Sequence, residues 1–129
     1  MALALTPAEM AERAELSVDT LRYYEKAGLM PPVQRLPNGH RRYSESDVGW
    51  LELVKCLRCT GMPIRHIQRY AELNADGDST ARERYELLHQ HRCEVLDQIT
   101  ELQRNLEHLN GKLSWYHQEY EFGEGACDD

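Results

Sequence analysis

Leu88, Val95, Ile99, Leu102, Leu106, Leu109, Leu113, Tyr116 and Tyr120 recur at steps of three, four or seven, the spacing of an apolar seam along a coiled-coil helix. A helix from Ala81 to Tyr120 would run roughly 60 Å at about 1.5 Å per residue. A chain of 129 residues has no core large enough to bury a rod of that length. Only the amino-terminal part of the rod can reach the rest of the chain, so the seam calls for a partner, and a homodimer is the simplest. The candidate dimer contacts are Leu88, Val95, Ile99, Leu102, Leu106, Leu109, Leu113 and Tyr116. Their spacing leaves the direction of pairing open.

The remainder reads as a short run of helices. Four starts carry a hydroxyl that can accept from an orphan backbone N–H, three of them with an acid three residues on. These are Thr6-Pro7-Ala8-Glu9, Ser44-Glu45-Ser46-Asp47 and Thr80-Ala81-Arg82-Glu83, while Ser17 with Asp19 is a less complete version. Gly61 breaks the chain and Pro63 restarts a helix with Ile64, Ile67 and Ala71 on one face. Between Met30 and Arg42 lie three prolines and the Asn38-Gly39 pair, which predicts a short two-stranded wing closed by a type I′ turn. Five helices and a wing make a mainly α protein. The expected organisation is a winged helix-turn-helix domain with two auxiliary helices over 1–76, a dimerisation helix over 77–120 and an acidic mobile tail over 121–129.

Helices near 7–14 and 17–26 fit a helix-turn-helix whose second member enters the major groove. That second helix offers Arg22, Tyr23 and Tyr24, preceded by Ser17 and Thr20, and the wing offers Arg35, His40, Arg41, Arg42 and Tyr43. Guanidinium forks suit phosphate oxygens or guanine edges, and tyrosine hydroxyls reach phosphates. These ten residues form the candidate DNA-binding surface, with Arg41 and Arg42 as wing phosphate contacts. Leu21 and Tyr24, three apart, could instead both pack inward. The formal net charge of −7 speaks against a nucleic-acid partner only until it is divided. Residues 1–70 carry ten Lys and Arg against eight Asp and Glu, whereas 71–129 carry five against fourteen. Positive charge stays with the half that would meet phosphates.

Ser17-Val18-Asp19-Thr20-Leu21-Arg22-Tyr23-Tyr24-Glu25, Gly28-Leu29, Arg41-Arg42-Tyr43, Asp47-Val48 and Gly61-Met62-Pro63-Ile64, in this order and ahead of a long helix, resemble a MerR-type transcriptional regulator. The resemblance covers nearly the whole chain to Tyr120. It implies a dimer with antiparallel long helices on double-stranded, palindromic promoter DNA. It further implies RNA polymerase as the functional partner, engaged when the bound protein bends and untwists an over-long promoter spacer. An effector would choose between two protein arrangements.

Four cysteines, Cys56, Cys59, Cys93 and Cys127, bear on what that effector is. No run of about 18 apolar residues marks a membrane span and the opening Met1-Ala2-Leu3-Ala4-Leu5 lacks the flank of a signal peptide, so a cytoplasmic location and reduced thiols are expected. Metal-sensing relatives place a cysteine at the start of the long helix and more in a loop after it. Here the start is Asp78-Ser79-Thr80 and Cys127 stands alone beyond Tyr120, so neither a thiolate metal site nor an iron–sulfur site is expected there. No cofactor is expected either. Cys56 occupies the position that resembles the sensor thiol of relatives responding to aldehydes, other electrophiles or nitrosative stress. Lys55 and Arg58 beside it would favour the thiolate, while Leu53 and Leu57 would suit a buried, inert cysteine. The expected function is a non-enzymatic DNA-binding regulator whose reactive small-molecule effector is captured by Cys56. A non-covalent effector is the alternative, and a dithiol oxidoreductase using Cys56 and Cys59 a distant third. His66, His89 and His91 read as surface residues.

Overall fold

The computed structural model of the protein describes residues 5–122. Its elements are α1 (Pro7–Ala14), α2 (Val18–Lys26), β1 (Gln34–Arg35), β2 (Arg41–Arg42), α3 (Glu45–Cys59), α4 (Ile64–Ala75), a 3-10 turn (Asp78–Thr80) and α5 (Ala81–Glu119). The chain divides into two compact units, the first ending at His89 and the second beginning at Gln90.

Each early helix starts where its hydroxyl cap stands. Thr6 accepts from the Glu9 backbone N–H at 3.2 Å while the Glu9 carboxylate accepts from the Thr6 N–H at 3.0 Å, a reciprocal cap that holds the Glu9 carboxyl below its usual range, mainly through that backbone hydrogen bond. Ser17 caps α2 through the Thr20 N–H. Ser44 and Asp47 make the same reciprocal arrangement on α3. The α1–α2 turn is tight because Glu15 takes the left-handed conformation, φ 56°, and Leu16 N–H returns to Ala11.

One apolar cluster organises the first unit. Met10 and Ala14 of α1, Leu21 and Tyr24 of α2, Val48, Leu51, Val54 and Leu57 of α3, and Ile67 of α4 bury together with Leu29, Met30, Tyr43 and Met62. Four polar ties hold helices at their ends. Trp50 Nε1 donates to Leu29 O, Gln68 Nε2 to Ala27 O and Lys55 Nζ to Ala14 O, and the Arg13 guanidinium forks onto Glu45 at 2.8 and 2.9 Å. Gln68 and Lys55 thereby give the helix-end carbonyls of Ala27 and Ala14 a donor, and Trp50 gives one to the loop carbonyl of Leu29. On α4 Ile67, Tyr70 and Leu73 are buried and Ile64 packs half-buried against the core, as expected for Ile64 and Ile67, while Ala71 is half-buried.

The long helix begins differently from its sequence signal. Thr80 does not accept from the N–H of Glu83. It is buried, its hydroxyl donates to Leu73 O and Gly77 O, and it accepts from Arg84 Nε. A hydroxyl drawn into the α4–α5 junction is no longer available as a helix cap. Leu87 and Leu88 pack against the core of the first unit, so Leu88 serves its own chain and is not a free seam position. Farther along α5, Ile99, Leu102, Leu106, Leu109 and Leu113 are exposed at 46, 67, 55, 60 and 58%. Val95 is half-buried. His91, expected on the surface, is buried, with Nδ1 3.9 Å from Glu94. The acidic tail at 121–129 and Cys127 lie outside the described residues except for Glu121 and Phe122.

Candidate nucleic-acid interface

Helix α2 buries Leu21 and Tyr24 and turns Arg22 and Tyr23 outward, the division that a 3.6-residue period imposes on four consecutive positions. Tyr23 is 49% exposed. Tyr24, expected among the DNA contacts, is a core residue, because it lies three positions from Leu21 on the same face. Ser17 and Thr20 sit at the helix start, the Ser17 hydroxyl donating to Thr20 Oγ1 at 2.9 Å. Together they place polar groups and the positive end of the helix dipole beside the exposed residues.

The wing is a hairpin of two residue pairs, Gln34 with Arg42 and Arg35 with Arg41. Its turn is not the type I′ form that Asn38-Gly39 predicts. Gly39 N–H returns to Leu36 O, with Pro37 next after Leu36, and Leu36 N–H reaches His40 O. Among residues 36–40 only Gly39 has positive φ, 87°, whereas type I′ needs two such residues. Pro37 accounts for the difference, since its fixed φ suits the first central position of a type I turn and leaves Gly39 the left-handed position that follows. Asn38 Oδ1 accepts from His40 N–H, completing the turn.

Arg35 and His40 are exposed on this hairpin, and Arg35 Nη1 donates to Gly39 O at 3.0 Å. Arg42 is half-buried and donates to Arg41 O. Pro7, Arg35, Gly39, His40, Arg41 and Arg42 line an open concavity of about 320 Å³, so three guanidinium-bearing residues and a histidine share one surface. Arg41 is already engaged. Its Nε lies 3.2 Å from Glu25 Oε1 and 3.0 Å from Glu25 Oε2, a contact no sequence pattern announced because the partners are sixteen residues apart. Tyr43, expected at the interface, is 2% exposed. Its backbone pairs with Leu5 in both directions at 2.8 and 2.9 Å, and burial, then the Glu25 carboxylate, push its phenol above its ordinary pKa. It anchors the wing and does not face solvent.

Cys56 and Cys59 are both exposed on α3 and carry free thiols, which removes the buried-cysteine reading for this chain. The Lys55 ammonium donates to the Ala14 carbonyl at the end of α1. Arg58, two residues from Cys56 on the same helix, is exposed. Among the described residues no helix is long and apolar enough to cross a membrane.

A capped helix-turn-helix with an outward Arg-Tyr pair and a basic hairpin is the architecture of a DNA-binding regulator. The sequence is matched over residues 5–73 by the model of the MerR HTH family regulatory protein and over 48–112 by that of MerR, DNA binding, and the chain belongs to the MerR family. An HTH-type transcriptional regulator of Haemophilus influenzae is 42% identical over 114 residues, 88% of this chain and 84% of that protein. The HTH-type transcriptional regulator AdhR of Bacillus subtilis is 39% identical over 90 residues, 70% of this chain and 64% of that one. HiNmlR, a MerR family regulator lacking the sensor domain and solved bound to promoter DNA, superposes with a TM-score of 0.82 at 41% identity, covering 90% of this chain and 92% of that one. The protein is a MerR-type DNA-binding transcriptional regulator.

Proposed function

We propose that the protein works as a homodimer on a palindromic promoter, that Cys56 reads a reactive small molecule, and that the adduct changes how the bound DNA is presented to RNA polymerase. The reading of the signal rests on one observation, the exposed Cys56 thiol on α3. Helix α3 starts two residues after Tyr43, the buried anchor of the wing. From Ser44 to Cys56 the helix runs roughly 18 Å at about 1.5 Å per residue, a rigid element joining the thiol to the wing. The relative HiNmlR is described as lacking the sensor domain.

On the DNA, Arg22 and Tyr23 address the major groove from α2, Ser17 and Thr20 the backbone at its start, and Arg35, His40 and Arg42 the flanking phosphates. Phosphate contacts fix register and orientation while base-edge contacts from α2 select sequence. Two copies of this surface on one palindrome supply the contacts that offset the energy of bending and untwisting the spacer. The test is in vitro transcription from the regulated promoter, adding an aldehyde or a nitrosating agent to wild type and to Cys56→Ser. The mutant should bind DNA as before and lose the response. Equal responses from both proteins would refute the thiol reading.

A further inference from the structure

We propose that Arg41 serves DNA binding through Glu25, as a strut that fixes the wing on the recognition helix, so that Arg41 is a positioning residue and not a phosphate contact. The inference rests on the DNA-binding role of α2 and the wing. Glu25 lies in the last turn of α2, the helix that presents Arg22 and Tyr23, and Arg41 lies on β2. Nε of Arg41 stands 3.2 and 3.0 Å from the two oxygens of Glu25. Side-chain exposures of 30% for Arg41 and 19% for Glu25 separate this pair from the α1–α3 pair Arg13–Glu45, at 49 and 51%. Partial burial limits screening and holds the pair in one geometry.

Its surroundings say what it holds. A hairpin of two residue pairs is marginal on its own, so the wing must be tied to the body. One tie is Tyr43, through its buried ring and its backbone bridge to Leu5. Because side chains alternate along a strand, Arg41 at β2 and Tyr43 just after it share a face. Glu25 ion-pairs with Arg41, and after burial its carboxylate is the next cause that raises the pKa of the Tyr43 phenol. A guanidinium whose charge is opposed by a carboxylate within hydrogen-bond distance has little left to neutralise a phosphate. Arg35 and His40, by contrast, stand exposed on the same hairpin.

The sign of one substitution separates the two roles. If Arg41 contacts phosphate, Glu25→Gln frees it and removes a repelling charge, so DNA binding tightens. If the pair is a strut, Glu25→Gln loosens the wing and binding weakens. Affinities would be measured by fluorescence anisotropy across a salt series, on the duplex that wild-type protein selects from a randomised pool. We expect Glu25→Gln and Arg41→Gln each to lose on the order of tenfold, and the double variant to lose no more than either, as coupled neighbours do. Plots of log K against log salt should keep the wild-type slope. Glu25→Asp, which keeps the charge and the fold but shortens the reach, should also weaken binding. Tighter binding by Glu25→Gln, a slope lowered by about 0.9 in Arg41→Gln, or wild-type affinity in Glu25→Asp would each overturn the strut. Failure of wild-type protein to select any duplex would overturn the DNA-binding role itself, and the strut with it.

Discussion

The two units of this chain solve the problem of apolar surface in opposite ways. Up to His89 an apolar core forms: Leu21, Leu29 and Leu51 are fully buried, and Trp50, Gln68 and Lys55 tie the backbone at Leu29, Ala27 and Ala14. From Gln90 onward the same residue type stands in water, with Leu102 at 67% and Leu109 at 60% exposed. Ile99, Leu102, Leu106, Leu109 and Leu113, spaced at three and four over about four turns and all exposed, make an apolar stripe of the kind that pairs with another helix. The first unit carries the candidate DNA-binding surface on a core of its own. The second presents the apolar stripe on which the proposed homodimer rests.

The comparison breaks most visibly if the joint is removed. Leu102→Asp combined with Leu109→Asp should abolish assembly in sedimentation velocity and cut DNA affinity by roughly 10²- to 10⁴-fold, the loss of effective concentration when two readers are no longer linked. The thermal transition of the first unit should persist, and unchanged DNA affinity would show that the seam has no part in binding. Leu51→Ala asks the converse. It should destabilise the first unit by about 2–5 kcal/mol through the cavity it leaves, read as a lower denaturant midpoint. Leu106→Ala, the same change on the exposed helix, should leave that midpoint in place.

Smaller effects sharpen the reader. Ser44→Ala removes the hydroxyl that accepts from Asp47 N–H and should cost about 1 kcal/mol in the same denaturation. Arg42→Ala should lower the salt slope of DNA binding by about 0.9 if it neutralises one phosphate. A slope equal to wild type would place Arg42, like Arg41, among the residues that shape the wing.

Features written in local chemistry were legible in the sequence. The caps at Thr6, Ser17 and Ser44 each depend on residues within three positions, and the long helix on a period repeated many times over. What was hidden depends on tertiary partners. Thr80 has the local signature of a cap, yet a buried hydroxyl finds Leu73 O and Gly77 O instead. Tyr23 and Tyr24 are adjacent and chemically alike, and only their placement against the core separates the exposed one from the packed one. The wing was expected, but its turn was misread because Pro37 outweighs Asn38 in setting the backbone. The same limit applies to the site. Arg22, Arg35 and His40 stand where the residue types suggested, whereas Tyr43 turned inward and Arg41 met Glu25 across sixteen residues of chain.

The proposed homodimer, two readers joined by one seam, sets a definite stoichiometry on DNA. Native mass spectrometry of the protein on its selected duplex reads that number directly. The account predicts two chains per duplex on a palindromic consensus, with the seam variant failing to form that species. One chain per duplex on a consensus without internal symmetry would contradict it.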